Sequence, residues 1–222
     1  MLKMMMAFFK DLWKYRKQVA TQDAWMKKYV AKKGYALNPS WMMQTNLKTW
    51  LSEMELVYEK RYCPCFEPSG NLELDKKMLC PCKFIDEELE MYGTCHCALF
   101  GKSTLDKNGW AASSARLMSE YRVPLKVNKD VLDTRGQPLD ALRGLPVPDA
   151  MHQLKNYLTN YPGATRLNMI LQTEQEWLNL QKVAAFRGFG VLRQPGEDGG
   201  ILATISLDGQ PLQGSAGSCG QN

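Results

Sequence analysis

Three Cys-x-Cys pairs fall between residues 63 and 97: Cys63-Pro64-Cys65, Cys80-Pro81-Cys82 and Cys95-His96-Cys97. They hold six of the chain's seven cysteines and one of its two histidines. A fold that gathers six thiols in so short a span must bind metal, carry out redox chemistry, or do both. The start MLKMMMAFFKDLWKY is dense in lysine and lacks the apolar stretch and cleavage site of a signal peptide. No run approaches the roughly 20 apolar residues that span a bilayer. The expectation is therefore a cytoplasmic protein with no membrane span. In that compartment clustered thiols favour metal or redox work over a structural staple.

Spacing alone leaves alternatives open. Four thiolates hold a [4Fe–4S] cluster, and the remaining two suffice for one redox-active disulfide. Zinc also takes four ligands, but structural zinc sites favour Cys-x₂₋₄-Cys spacing, which three Cys-x-Cys pairs fit poorly. Iron–sulfur plus disulfide is the preferred reading, with zinc and other arrangements behind it. The prolines stiffen two of the pairs and remove an amide donor. His96 lies between two thiols and can exchange a proton near neutral pH.

CPC…CPC…CHC followed by Ala98-Leu99-Phe100-Gly101 resembles the catalytic subunit of ferredoxin–thioredoxin reductase and its archaeal and bacterial relatives. The likeness includes the upstream stretch Tyr29 to Pro39 and covers about residues 20–101. The gaps between pairs, fourteen and then twelve residues, depart from the plant-type enzymes, whose second gap is shorter. The resemblance implies that Cys63, Cys80, Cys82 and Cys95 ligate a [4Fe–4S] cluster. It implies that Cys65 and Cys97 form the active disulfide, Cys65 as the outer, attacking thiol and Cys97 as the inner one, with His96 as proton donor. Ferredoxin would supply electrons singly, and a cluster beside the disulfide avoids a free thiyl radical. The target would be thioredoxin or another protein or small-molecule disulfide. The driving force suffices: about 130 mV between a plant-type ferredoxin and thioredoxin, roughly 6 kcal/mol for two electrons.

Charge is uneven along the chain. Residues 1–62 carry twelve Lys/Arg against five Asp/Glu, a basic stretch suited to an acidic partner such as ferredoxin or simply to solvent. Apolar residues recur at helical spacing over 7–33, closed by Gly34, and from Trp41 to Tyr58, where Met42, Leu47, Leu51, Met54 and Tyr58 are expected inside. Lys83 to Tyr92 suits one short helix. The expected organisation is a mainly helical cluster domain at 1–101, a linker at 102–130, an α/β domain at 131–208 and a flexible tail from 209. The C-terminal order is β-α-β-α-β-β: Val131–Gly136, Pro148–Leu158, Leu167–Leu171, Thr173–Arg187, Phe189–Arg193 and Ile201–Leu207. The fold class is thus α+β, a helical domain joined to a small two-layer α/β domain.

Leu139-Asp140-Ala141-Leu142-Arg143-Gly144-Leu145-Pro146-Val147-Pro148 is similar to the opening of TusA/SirA-like sulfur carriers, a likeness covering about residues 130–207. Those carriers hold a persulfide on a cysteine before the first proline; here Leu145 or Val147 stands there. The resemblance then implies docking or assembly, in place of an accessory subunit, rather than sulfur transfer; whether a second subunit exists is left open. Cys219 in the tail is an odd thiol, and His152 is read as structural. No GxGxxG, P-loop, nucleophile elbow or nucleic-acid module is present. The leading function is a ferredoxin-dependent disulfide reductase. A persulfide-reducing, sulfur-trafficking component and a non-enzymatic metal-binding assembly module are the alternatives.

Overall fold

A computed structural model describes residues 12–210 and Leu212. Residues 7–11 of the first expected helix, most of the tail and Cys219 lie outside the described residues. The chain divides into two units. The first runs to Val123 and includes Pro138–Asp149; the second comprises Pro124–Gln137 and the chain from Ala150 onward.

In the first unit, α1 (Arg16–Lys33) is stopped by Gly34 in the left-handed conformation, whose N–H bonds Val30 O. Lys32 and Lys33 in its last turn suit the negative end of the helix. The helical spacing expected over 7–33 is interrupted at Tyr15, whose backbone leaves the helical region. Helix α2 (Trp41–Tyr58) starts at Ser40, which accepts from Met43 N at 3.3 Å. Leu47, Leu51, Met54 and Tyr58 are buried as expected, but Met42 is 61% exposed. It sits on the first turn beside the equally exposed Trp41, ahead of the buried stretch that begins at Thr45. The short helices α3 (Leu72–Lys77) and α4 (Ile85–Tyr92) follow, α4 with three acidic residues in its first turn.

Two three-residue strands, β1 (Tyr35–Leu37) and β2 (Phe100–Lys102), pair antiparallel with Leu37 opposite Phe100. Asn38 reinforces the join: its N–H reaches Leu99 O at 2.9 Å and its side-chain amide reaches Ala98 O at 2.8 Å. The Leu-Asn-Pro turn is thereby tied to the backbone just after Cys97.

The stretch expected to be a linker instead carries α5 (Lys107–Tyr121), with Trp110, Leu117 and Tyr121 buried. Asp106 caps it, accepting from Gly109 N at 2.8 Å. Gly101 makes room for it, since a Cβ there would lie 2.5 Å from the Trp110 ring. The Ser/Asn/Gly start that reads as loop is the capping turn of a core helix.

Residues Pro138–Asp149, expected in the C-terminal domain, belong to the first unit. Asp140 makes their turn: its carboxylate accepts from Leu142 N at 3.1 Å and Arg143 N at 2.7 Å. Gly144 supplies the positive φ of 65° that closes it.

The second unit has one five-stranded sheet in the order β3-β4-β5-β7-β6. Its strands are β3 (Lys126–Asn128), β4 (Val131–Asp133), β5 (Arg166–Leu171), β6 (Gly190–Pro195) and β7 (Ile201–Ser206). Only β4 and β5 pair in parallel among the described strands. Their connection contains α6 (Ala150–Asn160), as a parallel pair requires a crossover. Helix α7 (Glu174–Arg187) opens with a Thr173/Glu176 capping box and closes at Gly188. On β5, Leu167, Met169 and Leu171 point inward at the period of a half-buried strand. The expected β-α-β-α-β-β order is present, preceded by β3, which fell in the supposed linker. No helix among the described residues is long and apolar enough to cross a membrane.

Candidate metal and redox centre

The two Cys-Pro-Cys segments are held side by side by backbone. Cys63 N donates to Met78 O at 2.8 Å, and Cys80 N donates to Arg61 O at 2.7 Å. The Cys-His-Cys segment closes on itself through Cys95 N to Phe100 O and Ala98 N to Cys95 O, both 2.8 Å. Ala98 takes a positive φ to complete that turn. The β1–β2 ladder and the Asn38 bonds fix it against the first unit.

These loops bring all six thiols together, free and buried. The sulfurs of Cys63, Cys65 and Cys97 lie within 4.8 Å of one another, and those of Cys95 and Cys97 are 3.6 Å apart. Cys63, Cys80, Cys82, Cys95 and Cys97 line one enclosed pocket with Ile85 and Phe100. Cys65, 1% exposed, stands beside it in the core. Phe100 N–H points at Cys95 Sγ from 3.3 Å.

Electrostatics make this a poor place for bare thiolates. Burial pushes the thiols of Cys65 and Cys80 up; hydrogen bonding to Cys63 and burial push up Cys97 and Cys82. Cys63 is instead pulled down, by hydrogen bonds from Cys65, Cys82 and Cys97 and by the Arg143 charge. Such a set releases its protons to a thiophilic cation rather than to water. Soft, buried, closely spaced sulfur donors fit an iron–sulfur or zinc centre.

His96 is 4% exposed and ringed by acids. Its Nε2 is 3.1 Å from Glu120 Oε2, and its Nδ1 is 3.5 Å from Asp140 Oδ2 and 3.9 Å from Glu88 Oε1. Glu88 also accepts from His96 N at 2.8 Å. Burial raises the Glu88 carboxyl, with Arg143 opposing. Burial also acts upward on Glu120, but His96 and Arg116 outweigh it and hold that carboxyl low. Arg116 bonds both Glu120, at 2.9 Å, and His96 O, at 3.0 Å. An open cavity of about 330 Å³ reaches this group, bordered by Tyr92, His96, Glu120, Leu139 and Asp140. Tyr121 O–H donates to Cys65 O.

All seven site residues expected from sequence are therefore assembled in one place; His152 is buried on α6. Glu88, Arg116, Glu120, Tyr121, Asp140 and Arg143 were missed. For Arg143 a signal existed: a lone arginine among Leu142, Gly144, Leu145 and Pro146 either faces solvent or is buried with a partner.

A small, mainly helical domain that gathers six buried thiols beside an acid-bound histidine offers the donor set of a metal or thiol-redox centre. Residues 14–120 match the family model described as ferredoxin thioredoxin reductase catalytic beta chain, so this part of the chain is similar to that family. The match spans all six pocket cysteines, His96 and most of α5, and ends before Asp140 and Arg143. Comparison with curated proteins gives no match.

Proposed function

We propose that this chain is a ferredoxin-dependent disulfide reductase, with a [4Fe–4S] cluster beside a redox-active disulfide. The observation that carries the reading is the gathering of five thiols and His96 around one buried pocket, with the Cys65 thiol against Cys63 and Cys97 beside it, all inside the family-matched segment. Cys63, Cys80, Cys82 and Cys95 would hold the cluster; all four line that pocket. When bound, the cluster supplies one-electron transfer next to the disulfide.

Cys65 and Cys97 would form the disulfide. Their sulfurs lie within 4.8 Å of each other, so a small approach joins them. On reduction, Cys65 as the outer thiol attacks the target disulfide and Cys97 later resolves the mixed disulfide. His96 donates and recovers the proton at the thiols, and its ring nitrogens exchange it through Glu120 and Asp140 at the open cavity. Both redox thiols are buried, so a protein target must uncover Cys65 before attack. A small disulfide faces a lesser barrier, and the reading embraces thioredoxin, other protein disulfides and small disulfides. The exposed Lys27, Lys28, Lys32 and Lys33 of α1 give an acidic ferredoxin a surface to meet. A reducing compartment such as the cytoplasm suits this chemistry. The second unit is given a docking or assembly role.

The test is Cys65→Ser. The variant is expected to keep the iron–sulfur absorption and lose disulfide turnover with reduced ferredoxin. Full turnover in that variant would refute the role of Cys65.

A further inference from the structure

Arg143 lies outside the family-matched residues, yet its guanidinium is fully buried against the cysteine pocket. Its Nη2 is 2.7 Å from Glu88 Oε1 and 3.6 Å from Cys82 Sγ, and its Nη1 is 3.3 Å from Asp140 Oδ1. The Phe66 and Phe84 rings hold its two flanks, at 4.5 and 4.4 Å. Its Nε is buried with no hydrogen-bond partner among the described residues, a donor for which the protein supplies no acceptor. An arginine does not shed its proton, so this is a permanent positive charge. It is oriented by the Asp140 turn and fixed on a sulfur expected to ligate metal.

We propose that Arg143 is a positioning residue that sets the reduction potential of the metal centre, donating to the Cys82 sulfur and placing a fixed positive charge beside it. This rests on the cluster reading above. Reduction adds one negative charge to a cluster. A nearby cation and a hydrogen bond to a ligand sulfur both stabilise the more negative state and so raise the potential. Glu88 works the other way and keeps the buried cation neutralised. Residues 138–149 thus reach the centre electrostatically without offering it a ligand. A purely structural Arg143 would leave the potential unmoved.

The experiment uses the full chain, reconstituted anaerobically with iron and sulfide, and reads the cluster midpoint in a redox titration followed by electron paramagnetic resonance. Compared with wild type, Glu88→Gln is expected to move the midpoint upward. Glu88→Gln/Arg143→Gln, which leaves no unpaired buried charge, should fall below Glu88→Gln. The oxidised-to-reduced ratio at a fixed poise should differ on the order of tenfold, about 59 mV for one electron. Arg143→Lys, which keeps the charge without the fork, should move less. A protein that misfolds with Arg143→Gln alone still leaves these three to decide. Equal midpoints in Glu88→Gln and the double variant, at wild-type iron content, would overturn the proposal alone. Zinc without sulfide in the wild-type chain would remove the cluster reading, and this proposal with it.

Discussion

The two units solve the problem of an interior differently. The second buries Leu167, Met169, Leu171, Ala203 and Ile205 on one sheet, with neutral groups such as Asn179 and Thr204 as its polar company. The first buries Lys48, Glu53, Glu67, Asp75, Glu88 and Arg143 together with His96 and six thiols. Among the described residues, every buried Asp, Glu, Lys and Arg lies in the first unit. Burying charge opposes folding unless each group finds a partner. The first unit spends stability on an electrostatic environment, whereas the second resembles a scaffold stabilised by apolar area.

Arg143→Ala should cause the largest loss. It leaves Glu88 buried and unpaired, at a cost of about 3–5 kcal/mol, read in chemical denaturation of the full chain. Converting both partners to neutral residues should recover most of it. In the second unit the comparable damage needs only a cavity. Met169→Ala at the centre of β5 should cost about 2–5 kcal/mol while leaving the metal content and spectrum of the first unit unchanged. A changed spectrum would break the division between units.

Gly101→Ala sharpens the packing side of the contrast. Its methyl meets the Trp110 ring at 2.5 Å, so overpacking should cost about 1–3 kcal/mol, and Trp110→Leu should relieve part of it. The smallest effect is expected at Asp23, where hydrogen bonds from Lys27 and Lys48 hold the carboxyl below its ordinary 3.8. A depressed folded value stabilises above the unfolded value and is lost as pH falls through the folded one. Asp23→Asn should therefore be less stable than wild type at neutral pH, with the gap closing below about pH 3.8. A gap independent of pH would show that Asp23 acts by shape and not by charge.

How legible all this was depended on range. The cysteine pairs and His96 stood out because thiol chemistry is written in contiguous residues. Gly34 marked the end of α1, and the start at Thr173 fell within one residue of α7, because caps act within a few residues. Strands β1 and β2 escaped notice because three residues have no period to detect and their pairing joins Tyr35 to Lys102. Helix α5 was hidden by its own capping turn. The hardest feature was the Pro138–Asp149 segment. Its apolar, proline-bearing pattern matched a carrier opening, while its partner Glu88 lies 55 positions upstream of Arg143, so only tertiary structure could reveal the ion pair.

On the proposed reading, the six clustered thiols hold an iron–sulfur cluster next to a disulfide. Iron, zinc and acid-labile sulfide content, with an absorption spectrum, on anaerobically purified full-length protein tests it most directly. The expected result is about four iron and four sulfide per chain with broad absorption typical of such clusters. Stoichiometric zinc with no sulfide, in protein never exposed to air, would contradict it.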